Sequence, residues 1–457
     1  MDNLDETPWL LSRLRRRRST PAQLIALSFA TTIAVGAVLL ALPVAHAAGH
    51  HVGVLDALFT ATSAVCVTGL VVVGTGTAFS LFGKLVIMLL IQAGGLGILT
   101  LGTLVALASG RRIGFRERLG LQAQVNIGQV GGIVKLVQRI FMVVFGVELL
   151  GALVLYLPFA RLEGFGRGAF YAVFHSISAF NNAGFGFYRD SLTRFVRDPL
   201  VNVTVMLLIV LGGLGFMVII NVATHFRQGR RAPLTLHSKV VLTGTAILIA
   251  VGSVIVLAFE WSNPGTLGHL AFPDKLMASL FQSVTPRTAG FNTLDTSQLR
   301  PATLLFTMLL MFVGGNPGST AGGIKTVTFL VLAGSAWSIS RGHGELTLFG
   351  RRIAASAAVK ASAIALLGML LVGAATTGLT LTDPDKSLLQ LGFESISAFG
   401  TVGLTTGITA ALSAGGKLII IALMYLGRLG PLTLALALME RRPERRIKYP
   451  EDDVVIG

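Results

Sequence analysis

An all-α integral membrane protein, built from four tandem units of span, short helix and span with pseudo-fourfold symmetry, is the fold class that three observations predict. The 457-residue chain is 53% hydrophobic with a mean hydropathy of +0.75 and only 13% charged, whereas soluble domains run to about a quarter charged. Its basic excess, 37 Lys and Arg against 21 Asp and Glu, is gathered into short clusters between long apolar stretches. One eight-residue pattern recurs four times, each time behind a short semi-apolar run.

The charge comes first because it excludes a function class. The basic clusters are RLRRRR (13–18), RRIGFRER (111–118), RQGRR (227–231), RGHGELTLFGRR (341–352) and RRPERR (441–446). They punctuate apolar stretches as cytoplasmic loops do under the positive-inside rule. A net charge of +16 on a soluble protein would suggest nucleic acid, but no aromatic-interleaved basic face is present, so lipid is the expected partner. The single cysteine, Cys66, allows no intrachain disulfide and is read as a small packed residue. The N-terminal RRRR, apolar run and AHA (45–47) imitate a signal peptide. However, Ala22 to Val44 is long enough to cross a bilayer of about 30 Å and is read as a retained first helix.

The repeat defines the architecture. SAVCVTGL (63–70), SAFNNAGF (178–185), VTPRTAGF (284–291) and SAFGTVGL (397–404) place Gly69, Gly184, Gly290 and Gly403 in one register, 115, 106 and 113 residues apart. Before them stand VLDALFTAT, AFYAVFHSI, KLMASLFQS and LLQLGFESI, runs too short to cross a membrane and suited to re-entrant helices. Two crossings per unit return every linker to one face, where the basic clusters lie. Eight transmembrane helices around one pore, with both termini cytoplasmic, are expected. The units run over 21–110, 111–228, 229–345 and 346–440, between a basic N-terminal segment (1–20) and a C-terminal tail (441–457).

The glycine segments read as a backbone-carbonyl cation filter. Non-helical backbone at membrane depth survives only where it is buried in protein or lines water, and an ion can replace the missing donors. Aiming successive carbonyls at an axis demands positive φ, which glycine accepts. The expected filter residues are Val67, Thr68 and Gly69; Asn182, Ala183 and Gly184; Thr288, Ala289 and Gly290; and Thr401, Val402 and Gly403. The short helices would aim their carbonyl ends inward, favouring a cation. Arg287 would oppose cations if it faced the pore, so it is expected to point away and brace its loop from behind. Glycines that merely ease helix packing would not recur each time behind a short helix.

The second spans align as AGGLG (93–97), LGGLG (211–215), VGGNPG (313–318) and LGRLG (426–430), so that Gly95, Gly213, Gly315 and Arg428 correspond. The third is broken open by GGNPGSTAGGIKT, where the others carry only a glycine bend. An intramembrane charge usually faces a cavity or a partner, and Arg428, near the middle of Leu418 to Leu438, is too deep to snorkel. A gate is therefore expected from Gly314, Gly315, Asn316, Pro317, Gly318, Ser319, Thr320, Ala321, Gly322, Gly323 and Lys325, paired with Arg428. GSTAGGIKT is not a phosphate loop, because Ile324 separates the last glycine from Lys325. Lys325 pairs with loop carbonyls or an acidic neighbour, or faces the cytoplasmic vestibule. Glu148 and Glu394 are candidate proton or Na+ sites, with hydrogen-bonded struts behind the filter preferred. His50 and His51 are read as incidental rather than metal-binding, and no enzyme signature appears.

With these motifs in place, the chain from about Pro21 to Glu440 resembles the Trk/Ktr/HKT superfamily of potassium transporters, and within it the Ktr-type membrane subunit (KtrB-type), because no extra helical pair precedes the first unit. The resemblance implies K+ at the filter carbonyls, with Gly69 on the K+ side where serine accompanies Na+ selectivity, and Na+ as a candidate coupling ion. It also implies a homodimer in the bacterial inner membrane, a gate formed by the intramembrane loop and its arginine, and a cytosolic nucleotide-binding RCK-type (KtrA-like) ring, with nucleotide only on that partner. The alternative is a proton- or Na+-coupled secondary transporter of another small cation. Inverted-topology repeats, on which many such transporters are built, would need an odd number of spans per unit, whereas these units have two.

Overall fold

The computed structural model describes residues 21–97, 133–342 and 344–430. The basic clusters at 13–18, 111–118 and 441–446, with the N-terminal segment and C-terminal tail, lie outside the described residues. Unit 1 comprises α1 (Pro21–Ala41), α2 (Val54–Val65) and α3 (Leu81–Leu96); unit 2 comprises α4 (Ile133–Glu163), α5 (Phe165–Phe180), α6 (Pro199–Leu214) and α7 (Phe216–Gln228). Unit 3 holds α8 (Leu236–Glu260), α9 (Phe272–Val284), α10 (Pro301–Phe312) and α11 (Thr326–Ser340). Unit 4 holds α12 (Ala355–Thr382), α13 (Leu388–Gly400) and α14 (Ala414–Leu429).

The first helix of each unit, α1, α4, α8 and α12, is long and apolar enough to cross a membrane. The second helices start at defined caps. Ser80 and Ser413 accept from the N–H groups of Gly83 (3.3 Å) and Gly416 (3.0 Å), and Asp198 accepts from Leu200 (2.9 Å) and Val201 (3.2 Å) ahead of Pro199. They differ from the expected spans in where they stop. The helices α3, α6 and α14 end at Gly97, Gly215 and Gly430, with φ of 84°, 94° and 81°, and after Gly215 the chain turns by 102° into α7. Among the described residues, four helices, or five counting that bent pair, meet the length and composition of a span. The interruption expected of the third second span is thus shared by the others, with a sharper break than a bend in unit 2.

The units close into a ring. Each second helix packs on the short helix of the following unit, α3 on α5, α6 on α9 and α10 on α13, and α14 returns to α2. Two polar contacts tie the ends of the chain together: Lys417 Nζ meets Asp56 Oδ1 at 2.8 Å, and the Tyr425 hydroxyl donates to the Ala26 carbonyl at 2.8 Å. The buried core follows the ring, with Phe59, Phe180, Phe281 and Phe399 of the four short helices all fully buried. Apolar side chains such as Leu153, Val254 and Leu370 are exposed on the outer faces of the long helices. That is the surface a lipid solvent requires.

Candidate ion filter and gate

The four short helices end in one backbone design. Gly69, Gly184, Gly290 and Gly403 have φ of 89°, 67°, 76° and 92°, and the residues two positions earlier, Val67, Asn182, Thr288 and Thr401, are also left-handed at 56°, 57°, 78° and 50°. For an L-residue that conformation costs about 1–2 kcal/mol. In three units the reason is a helix terminus closed by a left-handed residue. The N–H groups of Thr68, Ala183 and Val402 donate back to the carbonyls of Ser63, Ser178 and Ser397, each at 2.8 Å. Alternating left-handed residues then turn the following carbonyls inward.

The space around the glycines shows where those carbonyls meet. A Cβ on Gly69 would collide with the Ala183 carbonyl, one on Gly184 with that of Ala289, one on Gly290 with that of Val402, and one on Gly403 with that of Thr68. Each glycine therefore faces the carbonyl before the next glycine, and the fourth contact returns to the first unit. The residues expected to form a filter are brought to one axis as a closed ring. Sterics as well as φ exclude a side chain there.

Behind the ring stand braces that the sequence reading only partly named. The Ser63 and Ser397 hydroxyls accept from the N–H of Gly69 (3.0 Å) and Gly403 (3.1 Å). Their signal was a serine six residues before the filter glycine in three of the four repeats. Glu394 accepts from the hydroxyls of Thr405 (2.8 Å) and Thr409, and Glu148 accepts from Gln92 (3.2 Å) and Asn181 (2.9 Å). Both glutamates are thus hydrogen-bonded struts, the preferred reading. Glu260, not singled out from sequence, plays the same part in unit 3 through Asn263 (2.5 Å), Thr266 (2.6 Å), the Arg300 N–H (2.9 Å) and Thr303. Arg287 points away from the axis and reaches Thr245 and Thr326. Cys66 is buried. Ser397→Ala leaves the buried Gly403 N–H without an acceptor, a cost of about 1–3 kcal/mol. It is expected to lower thermal stability and weaken cation discrimination in flux assays, and a variant identical to the parent in both would remove the brace from this account.

The loop between α10 and α11 lies beneath the ring and fills the break in unit 2. Stopping α6 at Gly215 strands backbone groups that buried protein must satisfy, and the loop supplies partners. The N–H groups of Asn316 and Thr320 donate to the carbonyls of Gly213 (3.0 Å) and Gly212 (3.3 Å), and the Phe216 N–H donates to Gly318 (2.9 Å). The Asn182 amide hydrogen-bonds to the Thr320 hydroxyl at 2.9 Å, joining filter segment to loop. Gly322 and Gly323 lie so close to Thr401 and Gly400 that side chains there would clash or press on unit 4. Pro317, Gly318 and Ser319 are half-buried at the loop's tip. Lys325 Nζ donates to the Ala321 carbonyl at 2.7 Å, so of its alternatives the loop carbonyl is the one realised.

Arg428 is placed differently from the expected mid-span position. It sits in the last turn of α14, before the break at Gly430, where a cation is favoured by the carbonyl end of the helix; residues 431–438 lie outside the described residues. Its two terminal nitrogens donate to the carbonyls of Thr320, in the loop, and Gly94, in α3. The guanidinium therefore bridges units 1, 3 and 4 directly under the ring.

Four helix-ended backbone segments meeting at one axis, inside an all-α fold with membrane-length apolar helices, define a membrane ion transporter rather than an enzyme. The family model described as TrkH, cation transport protein, matches residues 9–448, and the chain belongs to that family. It is 44% identical over 440 residues to the Ktr system potassium uptake protein B of Bacillus subtilis, covering 96% of this chain and 97% of the relative. It is 38% identical over 453 residues to the potassium/sodium uptake protein NtpJ of Enterococcus hirae, covering 98% of this chain and 100% of that protein. The solved structure of the potassium transporter TrkH from Vibrio parahaemolyticus shares the fold, with a TM-score of 0.73 at 20% identity over 93% of this chain and 86% of that one.

Proposed function

We propose that this protein carries K+ into the bacterial cell across the cytoplasmic membrane, through a filter formed by the carbonyls of the Val67–Gly69, Asn182–Gly184, Thr288–Gly290 and Thr401–Gly403 segments. The observation that carries this reading is the closed ring of glycine-to-carbonyl approaches among the four segments. A desolvated monovalent cation needs oxygens on several sides, and inward carbonyls provide them without fixed acids. The names of the relatives, potassium uptake proteins of Ktr systems and a potassium/sodium uptake protein, support K+ as cargo and keep Na+ as a candidate coupling ion.

The gate in this proposal is the loop from Gly314 to Lys325 held by Arg428, because loop and guanidinium together obstruct the axis with backbone and positive charge. Eight spans with both termini cytoplasmic complete the proposed topology, the broken second helices finishing their crossings beyond Gly97, Gly215 and Gly430. A homodimer and a cytosolic RCK-type nucleotide-binding ring are the proposed partners, supported by the system naming of the relatives. The test is growth of a bacterium lacking K+ uptake at low external K+. Expression of this chain with an RCK-type partner is expected to restore growth, with a weaker or unregulated effect alone. Failure to restore growth or 86Rb+ uptake in either arrangement, with the protein present in the membrane, would count against the proposal.

A further inference from the structure

The third filter segment is held differently from the others. Units 1, 2 and 4 have a serine six residues before the filter glycine, whose carbonyl accepts from the N–H of the residue preceding that glycine. Unit 3 has Val284 there, and its Ala289 N–H instead donates to the Thr285 carbonyl at 2.9 Å. What stands behind this segment is Arg287, 7% exposed, with no carboxylate partner among the described residues. A buried guanidinium is costly unless its donors are met. Here Nη2 reaches two hydroxyls, Thr245 Oγ1 in α8 (3.3 Å) and Thr326 Oγ1 at the start of α11 (3.2 Å).

Both acceptors are shared with the loop. Thr326 Oγ1 donates to the Gly314 carbonyl at 2.7 Å, and its N–H donates to the Gly315 carbonyl at 2.9 Å. Thr245 Oγ1 also lies 3.4 Å from Asn316 Nδ2, itself 3.0 Å from the Gly213 carbonyl. A small cavity lined by Arg287, Thr245, Val284, Gly213 and Gly315 separates the back of the segment from the loop. The groups there are joined by hydrogen bonds rather than by close packing, and Arg287 Nε and Asn316 Oδ1 have no partner. Displacing the loop would disturb both acceptors of Arg287 together.

We propose that Arg287 is a positioning residue that makes the third filter segment depend on the docked loop, so that the filter holds K+ more tightly when the loop is docked. This rests on the filter and gate assignments above and deepens them. Because such coupling is reciprocal, K+ in the filter also favours the docked loop. The guanidinium touches no ion in this scheme; it acts through the backbone of Thr288 to Gly290.

The test measures K+ and Na+ affinity of the purified full chain in nanodiscs by titration calorimetry, in the parent, in Thr326→Val, in Thr326→Ser, in a chain lacking Gly314 to Gly323, and in that deletion combined with Thr326→Val. Thr326→Val and the deletion are each expected to weaken K+ affinity relative to Na+ by about tenfold, the effect of about 1.4 kcal/mol. Thr326→Ser, which keeps the hydroxyl, should match the parent, and Thr326→Val should add nothing in the deleted chain. Thr245→Val replaces Thr326→Val if the latter does not reach the membrane. An unchanged K+/Na+ affinity ratio in the deletion overturns the coupling, and so does an equal effect of Thr326→Val in both backgrounds. Flux separates this failure from failure of the gate: a deletion that raises flux but leaves affinity unchanged sinks only the coupling. A deletion that leaves flux unchanged sinks the gate itself.

Discussion

Arg428→Ala is expected to raise K+ flux through the protein in liposomes by about a hundredfold where the parent is held closed. The guanidinium makes two charge-assisted bonds, to the Thr320 carbonyl of the loop and the Gly94 carbonyl of α3. Such bonds contribute roughly 1.5–3 kcal/mol each. Losing about 3 kcal/mol moves a docked-to-undocked ratio by about two factors of ten. Arg428→Lys should fall between, since an ammonium keeps the charge but cannot span two carbonyls on different units with a planar fork. Parent-like flux and regulation in Arg428→Ala would remove this residue from the gate.

Gly403→Ser is expected to lower the K+-to-Na+ flux ratio at least about tenfold and to depress K+ uptake with it. Two costs coincide there: φ is 92°, which strains an L-residue by about 1–2 kcal/mol, and the new Cβ would fall on the Thr68 carbonyl. Gly407 separates these causes. Its φ is 93°, yet no atom lies within 4 Å of its missing Cβ. Gly407→Ser should therefore cost stability but leave selectivity intact. Equal loss of selectivity in both variants would mean that backbone strain, not crowding at the axis, explains the effect.

Much of this was legible in the residues because symmetry repeats its evidence. A glycine in one register four times over marks a place where backbone conformation excludes side chains, and a run of about ten apolar residues before it cannot cross a bilayer. Arg428 announced itself by standing where three units have glycine. The serine braces were equally visible in the quoted repeats, but a serine near a helix end has many uses, and only the short approaches to Gly69 and Gly403 single out this one. The breaks at Gly97, Gly215 and Gly430 were harder to read. Glycine pairs in apolar helices usually serve packing, which is also what Gly94, Gly212 and Gly427 do against the carbonyls of Val65, Phe180 and Phe399.

Composition, charge placement and the repeated glycine register were enough to assign lipid as the solvent, four units, a filter and an interrupted third span, since each depends on local properties of short segments. The partners of the interrupted span depended on the folded ring. Thr320 meets Asn182 from 138 residues away and Arg428 from 108, Lys325 turns back onto Ala321, and the loop closes a break in a helix of another unit. Such pairings are set by which backbone groups a broken helix leaves unsatisfied in a buried place, and that is settled only when all four units have closed around the axis.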